Sequence, residues 1–242
     1  LSHLQWEVVK KLAQGVRRLV IAGDDDQAIY RWAGADVDTF VSMEGTTRVL
    51  DQSWRVPRAV QAVADDIISR VRKRRPKIWK ARDTEGSVQY HPSSGSVDLS
   101  GRDILVLARN RYVLREFEKT IRSAGYLYEL QGARSIRPSL LAAVVTWERL
   151  RRSPDGVTAA ECRKVYEMMS VGRGFARGSK TLPRFSDEET VHYQDLVDRG
   201  GLLLSRDVLW FDALDKMSPT DTAYIRAALR RGEDLRAEPR IR

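Results

Sequence analysis

Short apolar runs alternate with helix-like patterns over the first 150 residues. β-branched apolar runs predict buried strands, and apolar residues three or four positions apart predict helices that bury one face. The predicted strands are 19–22, 47–50, 87–90, 103–108 and 126–130. The predicted helices are 4–13, 37–43, one that follows Pro57, one that carries Val113 to Ile121, and 140–150. Because alternating strands and helices form parallel sheets, the predicted fold class is α/β with a parallel sheet.

The pattern changes near residue 153. Downstream, helical patterns are interrupted by Gly and Pro, and no clear strand run is present. Such punctuation is typical of short helices joined by loops. We therefore predict a helical insertion over 153–234, followed by a return to the α/β part at 235–242.

A loop rich in carboxylates and aromatic residues follows the first predicted strand. Residues 23–36 read GDDDQAIYRWAGAD. In open α/β sheets, ligands bind at the carboxyl ends of the strands. Tyr30, Arg31 and Trp32 place a guanidinium between two aromatic rings, a set that stacks on bases and pairs with phosphate. The alternative interpretation is a solvated turn whose aromatic side chains belong to the core.

Charge and cysteine content narrow the class of protein. The 242 residues contain 42 Lys and Arg against 33 Asp and Glu, a formal charge of +9. This excess favours polyanionic partners such as nucleic acid, although a soluble basic protein without such a partner has the same charge. The single cysteine, Cys162, excludes an internal disulfide and favours a reducing compartment. The histidines, His3, His91 and His192, are scattered, so no metal site is predicted. We also expect no signal peptide at Leu1 and no membrane-spanning run.

Two basic segments are candidates for phosphate contacts. The first, 70–77, is a dense run of Arg and Lys, and the second, 172–180, is rich in Gly and Arg. The second is not a Walker A loop, because the GxxxxGK[ST] spacing is absent. A solvated linker and a helix-breaking loop are the ordinary alternatives. The candidate DNA-binding residues are Arg72, Lys73, Arg74, Arg75, Arg173 and Arg177.

Two motifs carry a resemblance to a known family. Residues 23–36 resemble motif III of UvrD/Rep/PcrA-like superfamily 1 DNA helicases, usually close to GDDDQSIYRFRGA, and 50–57 (LDQSWRVP) resemble motif IV, usually LxxNYRS. The stretches 104–110 (ILVLARN) and 128–136 (YELQGARSI) have counterparts in the second RecA-like domain, and 172–180 loosely resembles a turn of the helical insertion. The resemblance implies a RecA-like parallel sheet of the P-loop NTPase helicase type with a helical insertion subdomain.

The resemblance also implies a domain organisation. Residues 1–47 would be the C-terminal part of the first RecA-like domain, and 48–152 the N-terminal part of the second. Residues 153–234 would be the insertion, and 235–242 the return to the second RecA-like domain. The chain would be a middle fragment, running from after motif II to before motif V. Since Walker A and Walker B would lie outside it, we expect the isolated chain to hydrolyse no ATP.

The family's roles at the nucleotide transfer to three residues. Gln27 matches the Gln that contacts the γ-phosphate and the attacking water, and Arg55 matches an Arg that grips phosphate; both are predicted catalytic and ATP-binding residues. Trp54 stands where the family has a Tyr that stacks on the nucleotide base. Ser53 and Val56 depart from the usual Asn and Ser, and the loss of Ser removes a helix cap. The alternative role for Arg55 is a surface salt bridge.

The family's DNA contacts transfer to the aromatic residues of motif III. Tyr30 and Trp32 match positions that sandwich bases of the tracking strand, and stacking tolerates any sequence. Arg31 would meet phosphate. Ala33 departs from the Arg that relatives often carry, which leaves one DNA contact or inter-motif salt bridge in doubt.

The resemblance implies an ATP-dependent helicase as the parent protein. It would use ATP and Mg²⁺, with the Mg²⁺ ligands outside this chain, and would move 3′ to 5′ on single-stranded DNA and unwind duplex DNA. Monomeric state, replication or repair partners, and a cytoplasmic, nucleoid-associated location in a bacterial or phage-infected cell are also expected. Two alternatives stay open: the helicase part of a helicase–nuclease, and a non-catalytic nucleic-acid-binding or partner-docking module.

Overall fold

The chain divides into two units, Leu1–Tyr90 and His91–Arg242, in a computed structural model that describes residues 1–28, 31–101 and 103–242. The first unit contains α1 (His3–Leu12), 3₁₀ turns at Asp25–Gln27 and Arg31–Ala33, α2 (Val37–Ser42) and α3 (Arg58–Ser69). The second contains a 3₁₀ turn at Ser94–Ser96, α4 (Arg111–Ser123), β1 (Glu129–Leu130), β2 (Ala133–Arg134), α5 (Pro138–Arg152), β3 (Val157–Thr158), α6 (Ala159–Glu167), β4 (Thr190–Val191), α7 (Tyr193–Asp198), α8 (Trp210–Ala213) and α9 (Pro219–Arg231).

Side-chain caps fix where the first two helices begin. Ser2 and Gln5 form a capping box at α1, because each side chain bonds the backbone amide of the other. Asp36 caps α2 by accepting the Thr39 amide at 3.0 Å. The amide and hydroxyl of Thr39 hold the pKa of Asp36 at about 2. Buried Trp6 of α1 donates Nε1–H to the Asp36 carbonyl at 3.0 Å, which ties α1 to the start of α2.

The strands differ from the prediction. The predicted strands 19–22, 47–50 and 87–90 form no β-ladder among the described residues. Where the structure describes the chain, the ladders are two antiparallel pairs, β1–β2 and β3–β4. A strand needs a neighbour for its backbone N–H and C=O groups, whereas a helix satisfies them locally. The helical part of the α/β prediction is therefore confirmed, while no parallel sheet is formed among the described residues.

The end of the chain comes closest to a parallel arrangement. Ile241 makes isolated parallel bridges to both Ile104 and Tyr128. The amides of Ile104 and Glu129 donate to the carbonyls of Arg240 and Ile241, each at 2.8 Å. The last residues thus lie beside the predicted strands 103–108 and 126–130. The predicted domain boundaries stay a prediction.

A large apolar core fills the second unit. Helices α5 and α6 pack together, and Trp147 of α5 is fully buried and donates Nε1–H to the Val208 carbonyl at 2.9 Å. Tyr166 of α6 stacks on Phe175, with ring centroids 4.9 Å apart. The predicted helical segment 153–234 contains α6 to α9 and the short β3–β4 pair, so its helices are present together with a small antiparallel ladder.

Candidate functional site

The acidic loop, Asp24–Asp26, and the adjacent Gln27 form a 3₁₀ turn. Asp24 starts the turn by accepting the Asp26 amide at 3.2 Å. The Gln27 side chain is exposed and donates Nε2–H to Asp24 Oδ2 at 2.5 Å. Gly23 precedes the loop, and a Cβ there would lie 2.9 Å from the Phe40 ring. Glycine therefore allows the close approach of the backbone to α2.

Lys77 lies at the centre of the three carboxylates. Its Nζ is 2.8 Å from Asp24, 2.5 Å from Asp25 and 3.0 Å from Asp26. An ammonium has three N–H donors, so one donor is available for each carboxylate. Burial alone would lower the pKa of Lys77, but the hydrogen bonds to the carboxylates outweigh burial and raise it. The charge of the acidic loop is thus partly offset from within the first unit.

The basic run, residues 70–77, contacts the acidic loop through two further residues. Arg74 grips Asp26 with two bonds, Nε–Oδ1 at 2.9 Å and Nη2–Oδ2 at 2.8 Å. This pairing, opposed by burial, lowers the pKa of Asp26. The Arg75 amide donates to Asp25 Oδ2 at 2.7 Å, and its guanidinium reaches the Val41 carbonyl at 3.1 Å. Arg74 and Arg75 therefore have structural partners, and their predicted DNA contacts stay a prediction.

Other cations of this region are more exposed. Arg31 and Lys73 both pair with Asp38, at 3.2 and 2.7 Å. Arg72 is exposed, and none of the ion pairs between described residues involves it. The Trp32 ring is 84% exposed, which argues against the interpretation that it belongs to the core. Tyr30 lies outside the described residues.

The segment that resembles motif IV presents two side chains to solvent. Trp54 is 81% exposed. Arg55 is also exposed, and the salt bridge that was its alternative role is not formed among the described residues. Ser53 Oγ accepts the amides of Arg55 at 3.4 Å and Val56 at 3.1 Å. Ser53 thereby braces the turn that carries both side chains.

Helix α3, which follows this turn, begins without a side-chain cap. Pro57 occupies the cap position. The amides of Arg58 and Ala59 donate instead to the carbonyls of Thr84 and Glu85, at 3.0 and 2.9 Å. Backbone carbonyls leave no sequence signature, so this replacement for the missing cap was not predictable from the motif.

An open cleft of about 270 Å³ borders the acidic loop. Its polar lining includes Asp24, Asp25, Gln27 and Asp36, and its apolar wall includes Trp6 and Phe40. Clefts with apolar walls and a few convergent polar groups are typical of ligand sites. The cleft therefore makes the Gln27 side of the loop the candidate binding face of the first unit.

The second unit carries the other predicted phosphate contacts. Arg173 is exposed and lies 3.6 Å from Asp215, and Arg177 is exposed. Between them Phe175 is fully buried and anchors their loop to the core. The loop is therefore ordered by an aromatic anchor, while contact of its arginines with phosphate stays a prediction.

Contacts among the described residues join some of the predicted site residues and not others. They join Gln27 and the acidic loop to Arg74 and Arg75, but no hydrogen bond or ion pair links Gln27 to Arg55. Within the described ranges, no group of three or more His, Cys, Asp or Glu residues is arranged to hold a metal ion. No helix in the described part of the chain is long and apolar enough to cross a membrane.

Lys77 was missed as a site residue. Three adjacent carboxylates repel one another, so they require a nearby cation, but the sequence does not identify which one.

Comparisons with known proteins identify a family model and several relatives, and the family model covers the motif III region. Residues 1–48 match the family model for the UvrD/REP helicase N-terminal domain. The ATP-dependent DNA helicase PcrA of Bacillus subtilis is 28% identical over 180 residues, 64% of this chain and 24% of the relative. PcrA of Staphylococcus epidermidis is 31% identical over 128 residues, 50% of the chain and 16% of the relative. PcrA of Staphylococcus aureus is 26% identical over 153 residues, 54% of the chain and 21% of the relative.

The matches thus span less than a quarter of the length of these relatives. The predicted resemblance to UvrD/Rep/PcrA-like helicases is confirmed by the family match and the three relatives.

Proposed function

From this similarity to UvrD and PcrA helicases, we propose that the chain is the segment of an ATP-dependent DNA helicase that couples nucleotide turnover to movement along single-stranded DNA. The observation that carries the proposal is the turn at Ser53, which presents Trp54 and Arg55 to solvent without an intramolecular ion pair for Arg55 in the described part of the chain. An exposed indole can stack on a nucleotide base, and a guanidinium beside it can bind the phosphate.

In this proposal three residues act on the nucleotide. Trp54 stacks on its base, and Arg55 meets the charge that develops on the transferred phosphoryl group. Gln27, whose amide both donates and accepts, orients the attacking water at the γ-phosphate. In the parent helicase, the predicted RecA-like domains would bring Gln27, Trp54 and Arg55 together at one nucleotide. Segments outside this chain would complete the predicted sheet.

Magnesium does not fit the described carboxylates. Asp24, Asp25 and Asp26 are paired with Lys77 and Arg74. We therefore assign no role to the acidic loop in metal binding, and the magnesium ligands outside this chain remain an implication of the resemblance.

The DNA track is proposed on the exposed part of the motif III region. Trp32 supplies a stacking face, Arg31 supplies a cation, and Tyr30 adds the second ring by resemblance. Because stacking uses the face that every base shares, such a track suits a motor that moves on any sequence. Unwinding of duplex DNA and 3′-to-5′ direction belong to the same proposal, as do monomeric state, cytoplasmic location and replication or repair partners.

Trp32→Ala in the full-length helicase is expected to weaken single-strand binding by about 1–3 kcal/mol, equally for poly-pyrimidine and mixed sequences. The DNA concentration that half-activates ATP hydrolysis is expected to rise by the same factor, because binding and turnover are coupled. Fluorescence anisotropy and phosphate release measure the two quantities. Tyr90→Ala is the matched control, since Tyr90 is an equally exposed ring outside the proposed track. Unchanged affinity in Trp32→Ala would remove the stacking role.

Salt dependence tests the basic run separately. Arg72→Gln is expected to reduce the log–log salt slope of single-strand affinity by about 0.7, the value for one lost phosphate contact. Arg74→Gln is expected to leave the slope unchanged, because Arg74 is already paired with Asp26. A salt titration of anisotropy measures both slopes. If Arg74→Gln lowers the slope as much as Arg72→Gln does, Arg74 leaves Asp26 and pairs with phosphate when DNA binds. If Arg72→Gln keeps the full slope, Arg72 makes no phosphate contact and the basic run is a solvated linker.

A further inference from the structure

One carboxylate connects the basic run to the proposed catalytic amide. Asp24 accepts from Lys77 Nζ through Oδ1 at 2.8 Å and from Gln27 Nε2 through Oδ2 at 2.5 Å. Lys77 and Gln27 are 50 residues apart in sequence, yet one side chain separates them. The position of the Gln27 amide is therefore mechanically linked to that of Lys77.

The orientation of a glutamine amide decides what it offers to a ligand. A rotation of 180° about the last side-chain bond exchanges the NH₂ donor with the oxygen acceptor. An ionised carboxylate only accepts hydrogen bonds, so Asp24 selects the orientation in which Gln27 turns its NH₂ group toward the loop. Gln27 Oε1 makes no hydrogen bond within the described residues and is left as an acceptor.

We propose that Lys77 is a positioning residue for ATP hydrolysis: it fixes Asp24, and Asp24 holds the Gln27 amide with its oxygen available to the attacking water. This inference rests on the proposed function of Gln27. The side chain of Lys77 is 20% exposed and that of Asp25 is 2% exposed, whereas that of Asp24 is 41% exposed, so the Lys77 end of the link is the more shielded from bulk water. Charge interactions are stronger in such surroundings, which suits a rigid support.

The lysine fits this role better than another cation would. Asp24, Asp25 and Asp26 are consecutive and would repel one another without a cation between them. A compact ammonium directs three donors in three directions, whereas the donors of a guanidinium lie in one plane. Arg74 binds only Asp26 of the three carboxylates, through a planar fork, whereas Lys77 contacts all three.

A double-mutant cycle in the full-length helicase tests the inference. Lys77→Met is expected to lower the kcat of DNA-stimulated ATP hydrolysis by about tenfold, with the KM for ATP within about twofold, since the lost interaction acts on the chemical step. In a Gln27→Ala background the same change is expected to lower kcat less than about twofold, because residues that act through one another are not additive. Lys11→Met, at an exposed lysine in no ion pair among the described residues, is the control.

A second variant tests the same link without leaving a buried carboxylate unpaired. Lys77→Met leaves the buried Asp25 carboxylate without its ammonium, and an uncompensated buried charge destabilises the loop. Asp24→Ala breaks the same link at a partly exposed residue and leaves Lys77 paired with Asp25 and Asp26. We expect the same loss of kcat and the same non-additivity with Gln27→Ala.

The outcomes separate the two proposals. If Lys77→Met and Asp24→Ala lower kcat by the same factor with and without Gln27, the positioning role is overturned while the proposed function stands. If Gln27→Ala alone retains normal turnover, the proposed function of Gln27 fails and the positioning role fails with it. Loss of the Lys77 and Asp24 effects in the Gln27→Ala background supports both.

Discussion

Arg55→Ala is expected to lower DNA-stimulated ATP turnover of the full-length helicase by about 10³-fold or more, with single-strand affinity within about twofold of the parent. A guanidinium that meets the charge on a transferred phosphoryl group acts on the transition state, so its loss lowers kcat more than binding. Arg55 is exposed and in no ion pair among the described residues, and Ser53 braces its turn. Among the described residues, no carboxylate has to be displaced from Arg55 before it binds phosphate.

The neighbouring arginine supplies the control for this experiment. Arg58 is also exposed, but it pairs with Asp83 at 2.7 Å and Glu85 at 2.9 Å. Exposed ion pairs contribute little, so Arg58→Ala is expected to change turnover only slightly. Phosphate release measures both variants, and the 242-residue chain alone, expected to be inactive, supplies the blank. Near-normal turnover in Arg55→Ala would show that Arg55 does not act on the transition state of ATP hydrolysis.

The helices were predictable because their hydrogen bonds are local. The spacing of Val113 and Ile121 predicted α4, and α1 and α3 followed from similar patterns. The strands were not predictable in this way, since an apolar run becomes a strand only beside another strand. Val20 lies in such a run and is 75% exposed. A β-branched run therefore indicates a tendency to form a strand, while the partner decides whether the strand exists.

The candidate site was predictable as a loop but not as a cluster. Gly23 and the three carboxylates identified the acidic loop from sequence alone. The pairing of Asp26 with Arg74 joins residues 48 positions apart, and a run of charges has no period that identifies such a partner. The basic run was predicted as a phosphate-binding or solvated segment, and the sequence did not indicate that Arg74 and Lys77 pair with the acidic loop.

The net charge also did not show which cations are available to bind nucleic acid. Several arginines of the second unit lie over aromatic rings, among them Arg226 over Phe211 at 4.2 Å and Arg231 over Tyr126 at 3.4 Å. Such cation–π contacts stabilise the protein rather than bind nucleic acid. The excess of +9 therefore includes structural cations, and only exposure and partners separate them from residues that remain available to phosphate.

Gln27→Ala is expected to lower kcat of the full-length helicase by about 10²-fold or more, as does the loss of one preorganised polar group at other reaction centres. The amide is held at a cleft by Asp24, so its orientation is set before substrate binds. Gln14→Ala, which removes an exposed glutamine of the same unit, is the control and is expected to leave kcat unchanged. DNA-stimulated phosphate release at saturating ATP measures both.

Gln27→Glu tests the role of the NH₂ group of the amide separately from that of its oxygen. The variant keeps the length of the side chain and an acceptor oxygen, but it replaces the NH₂ group with a second carboxylate oxygen beside Asp24. Like charges at this distance repel, so the side chain is expected to turn away from the loop. A loss of kcat as large as that of Gln27→Ala is the expected result, with the melting temperature of both variants as the check on folding. Near-normal turnover in Gln27→Glu would show that an acceptor oxygen suffices and that the bond to Asp24 is dispensable.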